Sequence, residues 1–105
     1  MYGFFLATLV AVFPPPGAPV VHIADFVYKP ASITITVGQE ITFVNDDAEP
    51  HTVTSTANTF DSGGLDTKQS WKHRFTRVGT FAYRCELHPQ MLGTIVVRKA
   101  VTVRT

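Results

Sequence analysis

"TFAYRCELHPQMLGTIVV", residues 80–97, reads as a strand, a short loop and a second strand. Phe81, Tyr83 and Cys85 alternate with Ala82 and Arg84, and a period of two puts the first three on one face of an extended segment. Gly93 then opens "TIVV", rich in the β-branched residues that suit a pleated surface. Cys85 stands at the end of the first strand on its apolar face, so its sulfur is expected to point into the apolar end of the fold. His88 and Met91 follow in the loop at steps of three. Such a loop can turn its donors back toward one point above the core.

The pattern extends outward from this stretch. "SWKHRF" puts Trp71, His73 and Phe75 on one face and Lys72 and Arg74 on the other. "SITITV" alternates Ile33, Ile35 and Val37 with Ser32, Thr34 and Thr36, as a half-buried strand does. Gly38 turns the chain into "EITFVN", again rich in β-branched and aromatic residues. From Val20 onward no helical period is convincing and no internal repeat is present. Short strands separated by turn residues predict an all-β fold, an antiparallel β-sandwich.

Composition narrows the function classes. A chain of 105 residues is one domain with a single modest core. A net charge of +1, with Lys and Arg scattered from Lys29 to Arg104, supplies neither the field nor the groove that nucleic acid requires. With one cysteine there is no intrachain disulfide, and Cys85 is left as an inert core residue, a nucleophile or a ligand.

The first nineteen residues, "MYGFFLATLVAVFPPPGAP", carry no charge. Residues 4–13 are a continuous apolar run, too short to span a bilayer as a helix, followed by a Pro/Gly/Ala hinge. The stretch reads as an export signal, with a retained apolar arm as the alternative. The expected organisation is a leader over residues 1–19 and a folded domain over residues 20–105, in an extracytoplasmic compartment and without stable membrane insertion.

A fourth donor comes from "DDAEPHTVTS", residues 46–55, where Pro50 precedes His51. His51, Cys85, His88 and Met91 together offer two imidazoles, one thiolate and one thioether. That inventory fits a trigonal His₂Cys site with a weak, long axial Met, which suits blue copper. Zinc is more often held by Cys₄, Cys₃His or Cys₂His₂, and a hard cation needs oxygen donors that this loop lacks.

On these residues the chain resembles the cupredoxins, the type 1 blue copper proteins, and within them the amicyanin type. The resemblance is carried by "PHTV" at 50–53, "FDSGGL" at 60–65 and the short Cys-x-x-His-x-x-Met loop within "GTFAYRCELHPQMLGTIVV" at 79–97. Plastocyanins and pseudoazurins are related but have a longer His-to-Met step. The likeness covers about residues 20–98. It implies a Greek-key sandwich and one type 1 copper per chain, with His51, Cys85 and His88 as strong ligands and Met91 as the axial one. It also implies that the Thr52 amide donates to the thiolate, that Asn45 ties ligand loops together, and that Tyr83 and Phe81 are core aromatics beneath the metal. The edge of His88, flanked by Pro89, Gln90 and Leu92, is the implied electron port. Arg84 stands where plant plastocyanins carry a tyrosine used as a remote exit, so that second exit does not carry over. The expected role is one-electron transfer rather than catalysis, in a monomer whose redox partners, a dehydrogenase or a c-type cytochrome or oxidase, dock near His88.

Other readings compete. A lone cysteine on an apolar face is ordinarily a small buried hydrophobe, and Met91 can be a plain loop anchor. Cys85 with a nearby histidine can be a nucleophile and base, although no orienting Asn or Asp is evident. A copper chaperone or storage protein, or an electron-entry subunit of a larger oxidoreductase, would use similar donors. His22 and His73 read as surface or satisfied strand histidines. The acidic run "NDDAE", residues 45–49, is expected near the metal end, where it can bias docking toward a basic partner. "RKAVTVR" near the C-terminus reads as an edge strand protected by charge.

Overall fold

The computed structural model describes residues 18–100. All but the last two residues of the apolar leader, and residues 101–105, lie outside that span, as do the expectations placed on them. The described residues form eight strands and no helix: β1 (Val20–Ala24), β2 (Val27–Lys29), β3 (Ser32–Thr36), β4 (Glu40–Asn45), β5 (Thr54–Ser55), β6 (Ser70–Arg74), β7 (Gly79–Arg84) and β8 (Leu92–Arg98). Two four-stranded sheets result, one ordered β2-β1-β4-β6 and the other β3-β8-β7-β5. Among these residues no helix is long and apolar enough to cross a membrane.

The all-β sandwich expected from the alternation is present, but its sheets are not purely antiparallel. β1 runs parallel to β4, and β3 runs parallel to β8. The connection around Gly38 explains this. It looks like a hairpin turn, yet it carries the chain from one sheet to the other, so β3 and β4 never pair with each other. Gly38 takes φ +94°, its amide donates to the Phe75 carbonyl at 2.7 Å, and Gln39 caps the turn through Thr36. Alternation reveals which face of a strand is buried, not which strand lies beside it.

The faces follow the period. In β4, Ile41 and Phe43 are buried, and in β8, Ile95 and Val97 are. Phe43 packs against its in-sheet neighbour Trp71 and, across the sandwich, edge-on against Tyr83, and Phe60 packs edge-on against Phe75. In β7, Tyr83 is wholly buried, whereas Phe81 is only partly buried and packs on Phe75. Phe75 follows β6 at the Glu40 end of β4, so Phe81 supports the far end of the sandwich rather than the end that holds Cys85. β8 ends at Arg98 with no bend inside it.

Glycine is required at one packed position. Gly93 pairs with Tyr83 across β7 and β8, and a Cβ added there would fall inside the Tyr83 phenol. The ring that fills the core below the loop therefore lies against bare backbone.

Candidate metal centre

Strand β7 delivers Cys85 to the end of the sandwich, and pairing of Arg84 with Leu92 closes the loop behind it. Inside the loop the Met91 amide donates to the His88 carbonyl at 2.9 Å, and the Cys85 amide donates to the Met91 carbonyl at 3.2 Å. These bonds fold residues 85–91 into successive turns, which is why donors three apart in sequence can face one point. Cys85 and Met91 are both buried, and His88 is partly exposed.

His51 arrives on the segment that leaves β4 in one sheet and leads into β5 in the other. It precedes β5 and forms a two-way backbone bridge with Leu65, at 3.1 and 2.8 Å. Asn45, at the end of β4, holds the approach: its side-chain NH₂ donates to the carbonyls of Glu49 and Leu65, both at 2.8 Å, and its side-chain oxygen accepts from the Asp47 amide. This is the loop-tying role expected of Asn45. The imidazole of His51 is fully buried.

Three donors converge. The Nδ1 atoms of His51 and His88 each lie 3.7 Å from the Cys85 sulfur, and all three donor atoms fall within 4.8 Å of one another. A first-row ion bonded to nitrogen at about 2.0 Å and to thiolate at about 2.3 Å, in a trigonal plane, separates those donors by roughly 3.7 Å. The spacing suits a single ion held between them. The chemistry of the donors agrees, because a soft thiolate with two imidazoles selects a late transition metal.

A neighbouring carboxylate fixes the tautomer of His51. His51 Nε2 lies 2.9 Å from the Asp47 carboxylate, which can only accept at ordinary pH. The proton is thereby held on Nε2 and the Nδ1 lone pair is left facing Cys85. The Thr52 amide donates to the Cys85 sulfur at 3.3 Å, as expected. Thr52 also accepts at its hydroxyl from the Glu86 amide and at its carbonyl from the Tyr28 hydroxyl, at 2.8 and 2.6 Å. One residue thus joins the His51 segment to the cysteine loop and to β2.

Several features differ from expectation or went unforeseen. The acidic run is not a free charged face. Asp47 accepts from the amides of Asp25 and Phe26 as well as from His51. Burial works to raise the Asp47 carboxyl pKa, but the Phe26 and Asp25 amides and the His51 imidazole outweigh it and hold the group below its ordinary value. Asp46 pairs with His22 at 2.7 Å and with Lys68 at 3.7 Å. Local sequence marked these residues as acidic but supplied only His51 as a near neighbour; Asp25, Phe26, His22 and Lys68 lie more than twenty residues away. Phe26 was also missed, since an apolar residue in a turn carries no signal of its own. His22 and His73 stand outside the cluster: His22 is hydrogen-bonded to Asp46 on the surface, and His73 stacks on Trp71 at 5.1 Å.

The chain's relatives agree with this centre. The sequence profile of copper-binding proteins of the plastocyanin/azurin family matches residues 18–98. The chain is 35% identical over 86 residues to amicyanin from Paracoccus denitrificans, covering 77% of this chain and 66% of that one. It is 32% identical over 85 residues to plastocyanin from Scenedesmus fuscus, covering 69% and 87%. A solved structure of a reduced tryptophan-to-tyrosine mutant of amicyanin superposes with a TM-score of 0.74 at 33% identity, covering 78% of this chain and 83% of that one.

Proposed function

Because the chain belongs to the plastocyanin/azurin family of copper-binding proteins, we propose that it is a type 1 copper electron carrier. In this reading His51, Cys85 and His88 are the strong ligands and Met91 the weak axial one. The observation that carries it is the approach of two imidazole Nδ1 atoms to one buried sulfur at 3.7 Å each. Bound copper supplies a Cu(II)/Cu(I) couple that takes up and releases one electron.

The protein's part is to hold the donors still while the charge changes. The Leu65 bridge and the Asp47 carboxylate fix the position and tautomer of His51. The Thr52 amide, donating to the sulfur, stabilises thiolate charge and tunes the potential. Because Asn45 of β4, the Leu65 bridge and the hydrogen bonds of the cysteine loop anchor the donor segments to both sheets, the donors would move little when the charge changes. Reorganisation would therefore be kept small, as rapid one-electron transfer requires.

Electrons pass through the partly exposed His88, with exposed Leu87 and Leu92 nearby in sequence as an apolar docking surface. A weak, transient contact there suits turnover between a dehydrogenase and a c-type cytochrome or oxidase. The leader, read as an export signal, assigns the protein to an extracytoplasmic compartment.

Visible absorption and electron paramagnetic resonance of the Cu(II)-loaded protein test the assignment. An intense thiolate-to-copper band with narrow hyperfine splitting is expected, and Cys85→Ser should abolish both. A colourless protein with only tetragonal copper signals would defeat the reading.

A further inference from the structure

Strands β1 and β2 are joined by a two-residue loop, Asp25 and Phe26, beyond the last pair Ala24 and Val27. Both loop residues have positive φ, 55° and 60°. Such a loop ordinarily ends in glycine, and a bulky side chain at the second position is a costly choice. A conformation of this kind persists only where its surroundings impose it. Here one carboxylate does so: Asp47 accepts from the amides of Asp25 and Phe26 at 2.7 and 2.9 Å while also holding His51 Nε2.

The Phe26 ring is 40% exposed, yet it does not point idly into solvent. Its centroid lies 5.0 Å from the imidazole of His51 and 4.9 Å from that of His88, in T-shaped contacts with interplanar angles of 88° and 86°. The two imidazoles are themselves 4.9 Å apart. Three rings therefore form a closed triangle, and two of them belong to the donor cluster. His51 has its Nε2 partner to orient it. His88, on the loop, has no aromatic neighbours among the described residues other than Phe26 and His51.

We infer that Phe26 is a positioning residue for the metal centre: its ring braces the His88 imidazole against rotation and shields the two histidines from water. The inference rests on the copper reading of the site. Removing the ring frees His88 and admits solvent beside the ligands. Solvent favours the oxidised centre, which carries one more positive charge, so the potential falls.

The full-length protein with Phe26→Gly and Phe26→Leu tests this. Glycine suits the positive φ and removes the ring without straining the turn, and leucine keeps apolar cover without an aromatic face. In nuclear magnetic resonance of the metal-free and Cu(I) proteins, the part of the ring-current displacement of the His51 and His88 imidazole protons that Phe26 contributes is expected to vanish in both variants. Imidazole relaxation should report faster His88 ring motion. The reduction potential should drop most in Phe26→Gly and less in Phe26→Leu. Thermal unfolding of Phe26→Gly should stay at or above the parent, which separates loss of the brace from loss of the fold. Unchanged imidazole shifts, ring motion and potential in both variants would overturn the inference. Parent protein that takes up no copper as a blue centre would instead overturn the functional reading, and the metal-free spectra would still report whether Phe26 restrains His88.

Discussion

His51 and Asp47 are four residues apart in sequence, and their side chains meet at 2.9 Å, with the imidazole buried and the carboxylate partly buried. The contact turns a local acidic residue into an orienting partner for a donor nitrogen. Groups that orient a ligand histidine from behind are typically worth about 10–100-fold in metal affinity. Asp47→Ala should weaken copper binding by about that factor in a competition titration against a chelator. Affinity equal to the parent's would mean that the bridge to Leu65 alone orients the imidazole.

Tyr28 and Tyr83 meet edge-to-face with ring centroids 4.6 Å apart, yet their hydroxyls should respond oppositely to removal. The Tyr28 hydroxyl donates to the Thr52 carbonyl, whereas the buried Tyr83 hydroxyl has no partner among the described residues. Burial raises the pKa of both phenols well above the usual tyrosine value, with smaller contributions at Tyr28 from Cys85 and Tyr83, so both remain neutral donors. Tyr28→Phe leaves a carbonyl unsatisfied and should cost about 1 kcal/mol or more. Tyr83→Phe removes an unpaired donor and should be neutral or stabilising by up to about 1 kcal/mol. Chemical denaturation of the metal-free variants compares them. Equal destabilisation by the two changes would contradict this account.

Gly93 offers a sharper test of packing. Because an added Cβ would enter the Tyr83 ring, Gly93→Ala must displace either the ring or the β7–β8 pairing. Overpacking of this kind costs about 1–3 kcal/mol. Denaturation should show that loss, and Gly93→Ala made together with Tyr83→Leu should recover part of it. A Gly93→Ala protein as stable as the parent would show that β8 shifts freely.

His73 gives the metal-free fold a pH dependence of definite sign. Burial lowers its pKa below the ordinary 6.5. Below pH 6.5 the unfolded chain binds a proton that the folded one refuses, so this contribution to stability is complete above 6.5 and declines as pH falls toward the folded value. His73→Gln should flatten stability against pH in that window, as read by thermal unfolding of metal-free protein. A slope identical to the parent's would assign the dependence to the other histidines.

The sandwich was legible because burying one face of a strand demands a period of two, and that period stands in residues 32–37, 70–75 and 80–85. The cysteine loop was legible for a similar reason: Cys85, His88 and Met91 sit on one continuous segment, where spacing and chemistry can be read together. His51 could be added because a proline-led histidine is a local feature. Strand partners were not legible, since β1 with β4 and β3 with β8 are chosen by where the chain crosses between sheets.

The amino-acid order by itself determined which side chains would be buried and which donors were available, because hydrophobicity and ligand chemistry belong to residues. Tertiary structure alone decided what stands behind and beside those donors. Asp47 became the partner of His51, and Phe26 the ring against both imidazoles, only when β2, β4 and the cysteine loop were brought to one end. Hydrogen bonds and ring contacts act over a few ångströms of space, and no spacing along the chain encodes that closeness.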